Sequence, residues 1–183
     1  MSTVNDKLPR VSTILRILDD AYLGVPQEAL DVAAARGSEL HRLCEQYLDS
    51  LADLDEAPTP TPPYVNAYEG FTSWCTLNGV IRMATEQPSV NGKYGYRGTP
   101  DALVILGGKC TVLEFKFTAS ILRINKVQIQ AYRKLDLYHE ATQSMLLHIN
   151  PTTGETKAHL VPNNPHDWAA FLNALSVWKW RQG

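Results

Sequence analysis

Residues 99–117 read TPDALVILGGKCTVLEFKF and place two carboxylates, Asp101 and Glu114, and one ammonium, Lys116, in otherwise apolar sequence. The run ALVIL predicts a buried central strand, GGK a hairpin turn, and CTVLEFKF the returning strand. A strand's period of two puts Leu113, Phe115 and Phe117 on one face of that return and Val112, Glu114 and Lys116 on the other. Asp101, at the mouth of the first strand, then meets Glu114 across the hairpin. Two carboxylates at one strand end make a hard oxygen site suited to Mg²⁺ or Mn²⁺. A neighbouring lysine can orient water or counter charge developing on a phosphoryl oxygen. An isolated ExK is more often a solvated pair worth roughly 0–1 kcal/mol, so its weight depends on what surrounds it.

Working outward, strands are predicted at 80–90, 97–106 and 110–117, with NGK and GGK as turns, and NGKYG joining the first two as a hairpin. Downstream, Val127, Ala131, Leu135 and Tyr138 share one face of a helix over 125–139. Strands at 143–149 and 155–161 flank NPTTGE, and a last helix opens at NNPHDW with Asn164 as cap and Pro165 in the first turn. Upstream, VSTILRILDDAYL predicts a helix over 11–23 with Ser12 or Thr13 as cap. A long helix over 26–54 carries the stripe Leu30, Ala34, Leu40, Leu43, Tyr47 and Leu51. Gly37 interrupts it at a cost of about 1 kcal/mol relative to alanine, which points to a close backbone approach there. The prolines of APTPTPP, 57–63, force an exposed connector, and an amphipathic helix follows to Gly79. The expectation is an α/β fold: a central mixed sheet flanked by helices with an αβββαβ core. Residues 1–79 form its helical N-terminal part, 80–162 its sheet and helix core, and 163–183 a C-terminal helix, within one domain.

With 183 residues and 44% hydrophobic content, the chain supports one sizeable core. Cys44, Cys75 and Cys110 lie far apart without CxxC pairing, which argues against a disulfide framework, a zinc site or an iron–sulfur cluster. No apolar run reaches 18 residues and MSTVNDKLPR lacks a secretory core, so a soluble, unprocessed, cytoplasmic protein without membrane contact is expected. The net charge of −2 hides a division: thirteen acids and six bases over 1–92, six acids and eleven bases over 93–183. A polyanion should meet the second half.

Gly98-Thr99-Pro100-Asp101 followed by Glu114-Phe115-Lys116 resembles the PD-(D/E)XK nuclease signature, on the hairpin where that family carries it. Gln128 and Tyr132 in QIQAY, four apart on one helical face, resemble the QxxxY motif of the RecB-like branch. ARGSELHRLCEQYL resembles the helix of that branch in which a glycine precedes a metal-binding histidine; here Gly37 would leave room beside His41. Glu86 matches an acidic position often found in these sites, and an exposed strand glutamate is an equal alternative for it. The resemblance spans about 41–132. It lacks the four cysteines that hold an iron–sulfur cluster in some relatives, and no GxxxxGK[ST] loop marks a fused motor.

The resemblance implies a stand-alone core like those of small phage-encoded exonucleases in DNA recombination or repair. His41, Asp101, Glu114 and the Phe115 carbonyl would bind Mg²⁺ or Mn²⁺. Lys116 would orient or activate water, and Gln128 and Tyr132 would position the site or the DNA. Arg123, Lys126, Arg133 and Lys134, with no acid among them, are the candidate phosphate contacts; a solvated basic helix is the alternative. Exonuclease is preferred to structure-specific endonuclease by the histidine and QxxxY. A silent nucleic-acid-binding or assembly module of the same fold is the rival, and a recombination or replication protein is the expected partner. Trp168, Trp178 and Trp180 on the last helix raise a third alternative, an interaction surface.

Overall fold

A computed structural model describes residues 7–18, 26–53 and 56–183. Its helices are α1 (Val11–Leu15), α2 (Gln27–Asp53), α3 (Val65–Leu77), α4 (Arg123–Arg133) and α5 (Pro165–Arg181). Its strands are β1 (Ile81–Thr85), β2 (Ser89–Asn91), β3 (Tyr96–Gly98), β4 (Ala102–Leu106), β5 (Lys109–Lys116), β6 (Gln143–Ile149) and β7 (Thr156–Leu160). Five strands form one mixed sheet in the order β1-β4-β5-β6-β7, and β2 pairs with β3 as a separate ribbon. The expected sheet flanked by helices is therefore present. Within it β5 and β6 run parallel, joined across α4, while the other neighbours are antiparallel.

Both faces of the sheet are covered, which is why ALVIL reads as a continuous apolar run. Leu103, Val112 and Leu146 pack with residues of α1, α4 and α5. Ala102, Val104, Leu113, Phe115 and Leu147 pack with Leu40, Cys44 and Leu48 of α2 and Ala67, Phe71 and Cys75 of α3. Each fully buried Leu or Phe contributes about 1.5–3 kcal/mol. The face of β5 that carries Glu114 is thus an interior face, not a solvated one.

Four expectations are corrected. The predicted strands 80–90 and 97–106 are each split, since Glu86 takes a positive φ of 46° and Pro88 and Pro100 lack the N–H a ladder needs. NGKYG therefore turns the β2–β3 ribbon, while β1 pairs directly with β4. The predicted helix 125–139 begins at Arg123 and stops at Arg133. Beyond it the backbone is claimed by the ribbon: the Asn91 side-chain amide donates to the Lys134 carbonyl, and the Asp136 amide donates to the Val90 carbonyl at 2.7 Å. The first helix ends at Leu15 and is capped at Arg10 without a side-chain bond, not by Ser12 or Thr13; residues 19–23 of that prediction lie outside the described residues. Finally, a Cβ on Gly37 would meet nothing within 4 Å among the described residues. The first half of α2 is mostly exposed, so that glycine accommodates no neighbour and makes no room beside His41.

At the C-terminus the Asn164 side chain accepts the His166 amide at 2.9 Å and Pro165 opens α5, as the sequence predicts. Trp168 stacks on Phe171 and Trp178 packs against the core, whereas Trp180 is 80% exposed. No helix among the described residues is long and apolar enough to cross a membrane.

Candidate active site

The segment from Gly98 to Asp101 connects the ribbon to β4 and brings Asp101 beside the end of β5. There the Phe115 amide donates to Asp101 Oδ2 at 2.5 Å, and the Asp101 amide approaches Glu114 Oε2 at 3.4 Å. The pairing of β4 with β5 stops at Ala102 and Leu113. Because the N–H and C=O of one strand residue point to the same side, the Phe115 carbonyl also faces Asp101. Lys116 Nζ donates to Glu114 Oε1 at 3.0 Å, with the lysine side chain 13% and the glutamate side chain 4% exposed. Glu114 is therefore buried and Lys116 largely so, in contrast to the common surface pair of that pattern.

Helix α2 crosses this end of the sheet. His41 sits edge-on to Phe117 with ring centroids 5.1 Å apart and tilted against Phe115 at 5.9 Å, and its Nδ1 lies 3.3 Å from Asp101 Oδ1. Burial alone would lower the imidazole pKa, but the charge and hydrogen bond of Asp101, with Glu114 behind it, raise it to about 9. Burial would likewise raise Asp101, yet His41, Lys116 and the Phe115 amide hold it below the usual carboxylate range. Glu114 is pushed up by burial and by the charge of Asp101, against the pull of Lys116.

Two more carboxylates join these. Glu86, whose own amide donates to the Asp101 carbonyl at 3.0 Å, shares a hydrogen bond with the Asp101 side chain. Partial burial and the charges of Asp101 and Glu45 push its carboxyl up to about 8. Glu45 is raised by burial and by Asp101, and bonds Glu86. Sequence reading missed Glu45, although it stands one turn after His41 on α2, an i, i+4 spacing that puts both on one helical face. From α4, Gln128 Nε2 donates to the Tyr132 hydroxyl at 3.2 Å. The Tyr132 phenol is pushed well up, first by burial and then by the charge of Glu114, with Asp101 and Glu86 adding to it. The structure thus brings together His41, Glu86, Asp101, Glu114, Phe115, Lys116, Gln128 and Tyr132.

The basic residues divide. Arg123 and Lys126 are exposed on the first turns of α4, and Arg123 lies 3.8 Å from Asp167 of α5. Arg133 bonds the Thr142 carbonyl and lines a pocket with Gly108, Lys109 and Cys110, at the opposite end of the sheet from Asp101. Lys134 follows it. A groove of about 930 Å³ instead leaves the carboxylates past Glu86, Gly98, Thr99 and Tyr132 and reaches Arg10 and Arg97. Neither arginine belongs to the basic stretch read from sequence. A parallel bridge pairs their backbones, and Arg97 Nε holds the Leu8 carbonyl at 3.0 Å.

Carboxylate oxygens and a backbone carbonyl are the donor types that Mg²⁺ and Mn²⁺ take, whereas an imidazole is a softer donor than these ions prefer, and four carboxylates in one place favour a cation. Among the described residues, however, no three side chains stand as a finished ligand group. His41 and Lys116 instead supply the positive charge nearest Asp101 and Glu114.

No protein-family model and no curated protein matches this sequence. Among solved structures, the fold is similar to that of a protein named SSO0001, at 17% identity and a TM-score of 0.53, over 100% of this chain and 79% of that one. It is also similar to an alkaline exonuclease, LHK-Exo, from Laribacter hongkongensis, at 12% identity and a TM-score of 0.53, over 94% of this chain and 86% of that one. The chain therefore has a fold that an exonuclease also uses.

Proposed function

We propose that this protein is a Mg²⁺- or Mn²⁺-dependent DNA exonuclease of the RecB-like branch of the PD-(D/E)XK nucleases, with residues 1–183 as its nuclease domain. The observation that carries the reading is the largely buried Glu114–Lys116 pair next to Asp101, with His41 Nδ1 on Oδ1 of that aspartate and the Phe115 amide on Oδ2. An ion pair taken out of water at a sheet end costs desolvation that a surface pair avoids, and chemistry supplies a reason for keeping it there.

In this reading Asp101, Glu114 and the Phe115 carbonyl would hold the cation, and His41 would join them on giving up its proton. When bound, it stabilises negative charge on a phosphoryl oxygen and lowers the pKa of water. Lys116 presents its ammonium beside Glu114, where it orients the attacking water and offsets charge developing on the phosphate. The Phe115 amide fixes the Asp101 carboxylate. Glu86 and Glu45 add negative charge around the same point and favour cation capture. Gln128 and Tyr132, hydrogen-bonded to each other, position the strand at the mouth of the groove. Arg10 and Arg97 in the groove, with Arg123 and Lys126 on α4, contact phosphates. A soluble protein acting in DNA recombination or repair beside a partner protein accords with this activity.

The test is digestion of end-labelled linear single- and double-stranded DNA beside a closed circle, in Mg²⁺, Mn²⁺ or EDTA, with wild type and Lys116→Ala. Cation-dependent loss of the linear substrates alone, absent in the variant, is expected. Cutting of the circle makes the protein an endonuclease. No cleavage by folded, cation-supplied wild type makes it a binding module of this fold.

A further inference from the structure

We infer that Gly98 is a positioning residue: its missing side chain is the seat of the Tyr132 ring, and through that ring it sets where the Gln128–Tyr132 pair stands beside the carboxylates. The consequence for cleavage rests on the nuclease reading; the seat itself does not. A Cβ on Gly98 would lie 2.7 Å from Tyr132 Cε1, 2.9 Å from Cδ1 and 3.1 Å from Val11 Cγ2. The two nearest atoms belong to the body of a ring, and the third, on buried β-branched Val11, would itself have to give by a few tenths of an ångström. Glycine is required here by space and not by conformation, since Gly98 is not among the residues with positive φ.

Tyr132 has nowhere to withdraw. It is 6% exposed within the core packed around α4, beside Val127, Ile129 and Ala131, and its hydroxyl is engaged by Gln128. A ring displaced from Gly98 therefore moves toward the groove, which Gly98, Thr99, Tyr132 and Glu86 all line. The same four-residue segment ends at Asp101, whose carboxylate takes the Phe115 amide. One short stretch thus places a carboxylate by a hydrogen bond and an aromatic ring by an absent side chain.

The test is a double-mutant cycle on Gly98→Ala and Tyr132→Ala, read first as melting temperature in EDTA and then as single-turnover cleavage of linear DNA. Gly98→Ala is expected to lower Tm by several degrees in wild type and by clearly less in the Tyr132→Ala background, where the ring clash is gone and only the 3.1 Å approach to Val11 remains. If Gly98→Ala fails to fold alone, its recovery of folding in that background is the same result. An equal loss of Tm in both backgrounds overturns the seat. In cleavage, Gly98→Ala should lower the saturating single-turnover rate by about tenfold or more in wild type, with the half-saturating concentration changing less, and by less than about twofold beside Tyr132→Ala. Coupled Tm values with unchanged cleavage overturn the positioning role. If wild type cuts nothing, the nuclease reading fails, and the Tm cycle alone still decides the seat.

Discussion

The Phe115 amide on β5 donates to the Asp101 carboxylate at 2.5 Å just beyond the last paired residues of β4. A side chain here replaces a strand neighbour, completing the ladder with an acceptor that also carries charge. The carboxylate is thereby held by the backbone of the sheet it serves.

That bond separates two substitutions of Asp101. Asp101→Ala leaves a buried N–H without an acceptor, at a cost of about 1–3 kcal/mol, whereas Asp101→Asn keeps an acceptor while removing the charge. Urea denaturation in EDTA should rank alanine below asparagine in stability, and Mn²⁺ titration calorimetry should show both losing the wild-type heat. Equal stability of the two variants would show that the amide bond does not hold the segment.

Lys116→Ala should lower the rate of DNA cleavage by roughly 10²–10⁴-fold, the range in which a positioned proton-handling group acts, without loss of helical circular dichroism. Since Lys116 is the cation bonded to Glu114, its removal leaves that buried carboxylate to take up a proton. Turnover close to wild type in the folded variant would remove Lys116 from the chemistry.

Glu86 sets a pH dependence on the cation-free protein. Its folded-state carboxyl is raised from 4.5 to about 8, so between those values the folded chain binds more protons than the unfolded one. Stability therefore declines as pH rises through that window. Glu86→Gln removes this residue's share of the dependence: its melting temperature in EDTA should exceed that of wild type at pH 8.5 and match it near pH 4. A gap that does not vary between pH 4 and 8.5 would mean that Glu86 feels none of these charges.

Groove and helix can be told apart by salt. Each phosphate contact contributes about 0.9 to the slope of log K against log salt on duplex DNA, or about 0.7 on single strands. Arg10→Ala should reduce that slope by about one contact, while Arg133→Ala, at the opposite end of the sheet, should leave it unchanged. Binding curves by fluorescence anisotropy at several salt concentrations measure both, and a reversal of the two would move the nucleic acid to the far end.

Much of this arrangement was legible in the sequence because strand and helix periods are local. Alternation along CTVLEFKF assigned Glu114 and Lys116 to one face, the four-residue spacing paired Gln128 with Tyr132, and Asn164-Pro165 marked the start of α5. The ends of β1, β2 and α4 were not legible, because they depend on which backbone groups a distant segment claims: Asn91 takes the Lys134 carbonyl, and Val90 takes the Asp136 amide. Gly37 illustrates the opposite error. A glycine inside a helix signals close approach only if something packs there, and among the described residues nothing comes within 4 Å of a Cβ built on Gly37.

By itself, then, the sequence determined the α/β order of elements, the hairpin that pairs Asp101 with Glu114, and the types of donor available at its mouth. Whether Glu114 lay in water or in the interior, which arginines bordered the groove, and that Glu45 stood beside Glu86 were decided by tertiary structure. The physical reason is range. Periodicity is set by steric rules between residues a few positions apart, whereas burial and charge clustering depend on elements far apart in the chain, such as α1 packed with α5 or the Leu8 carbonyl held by Arg97.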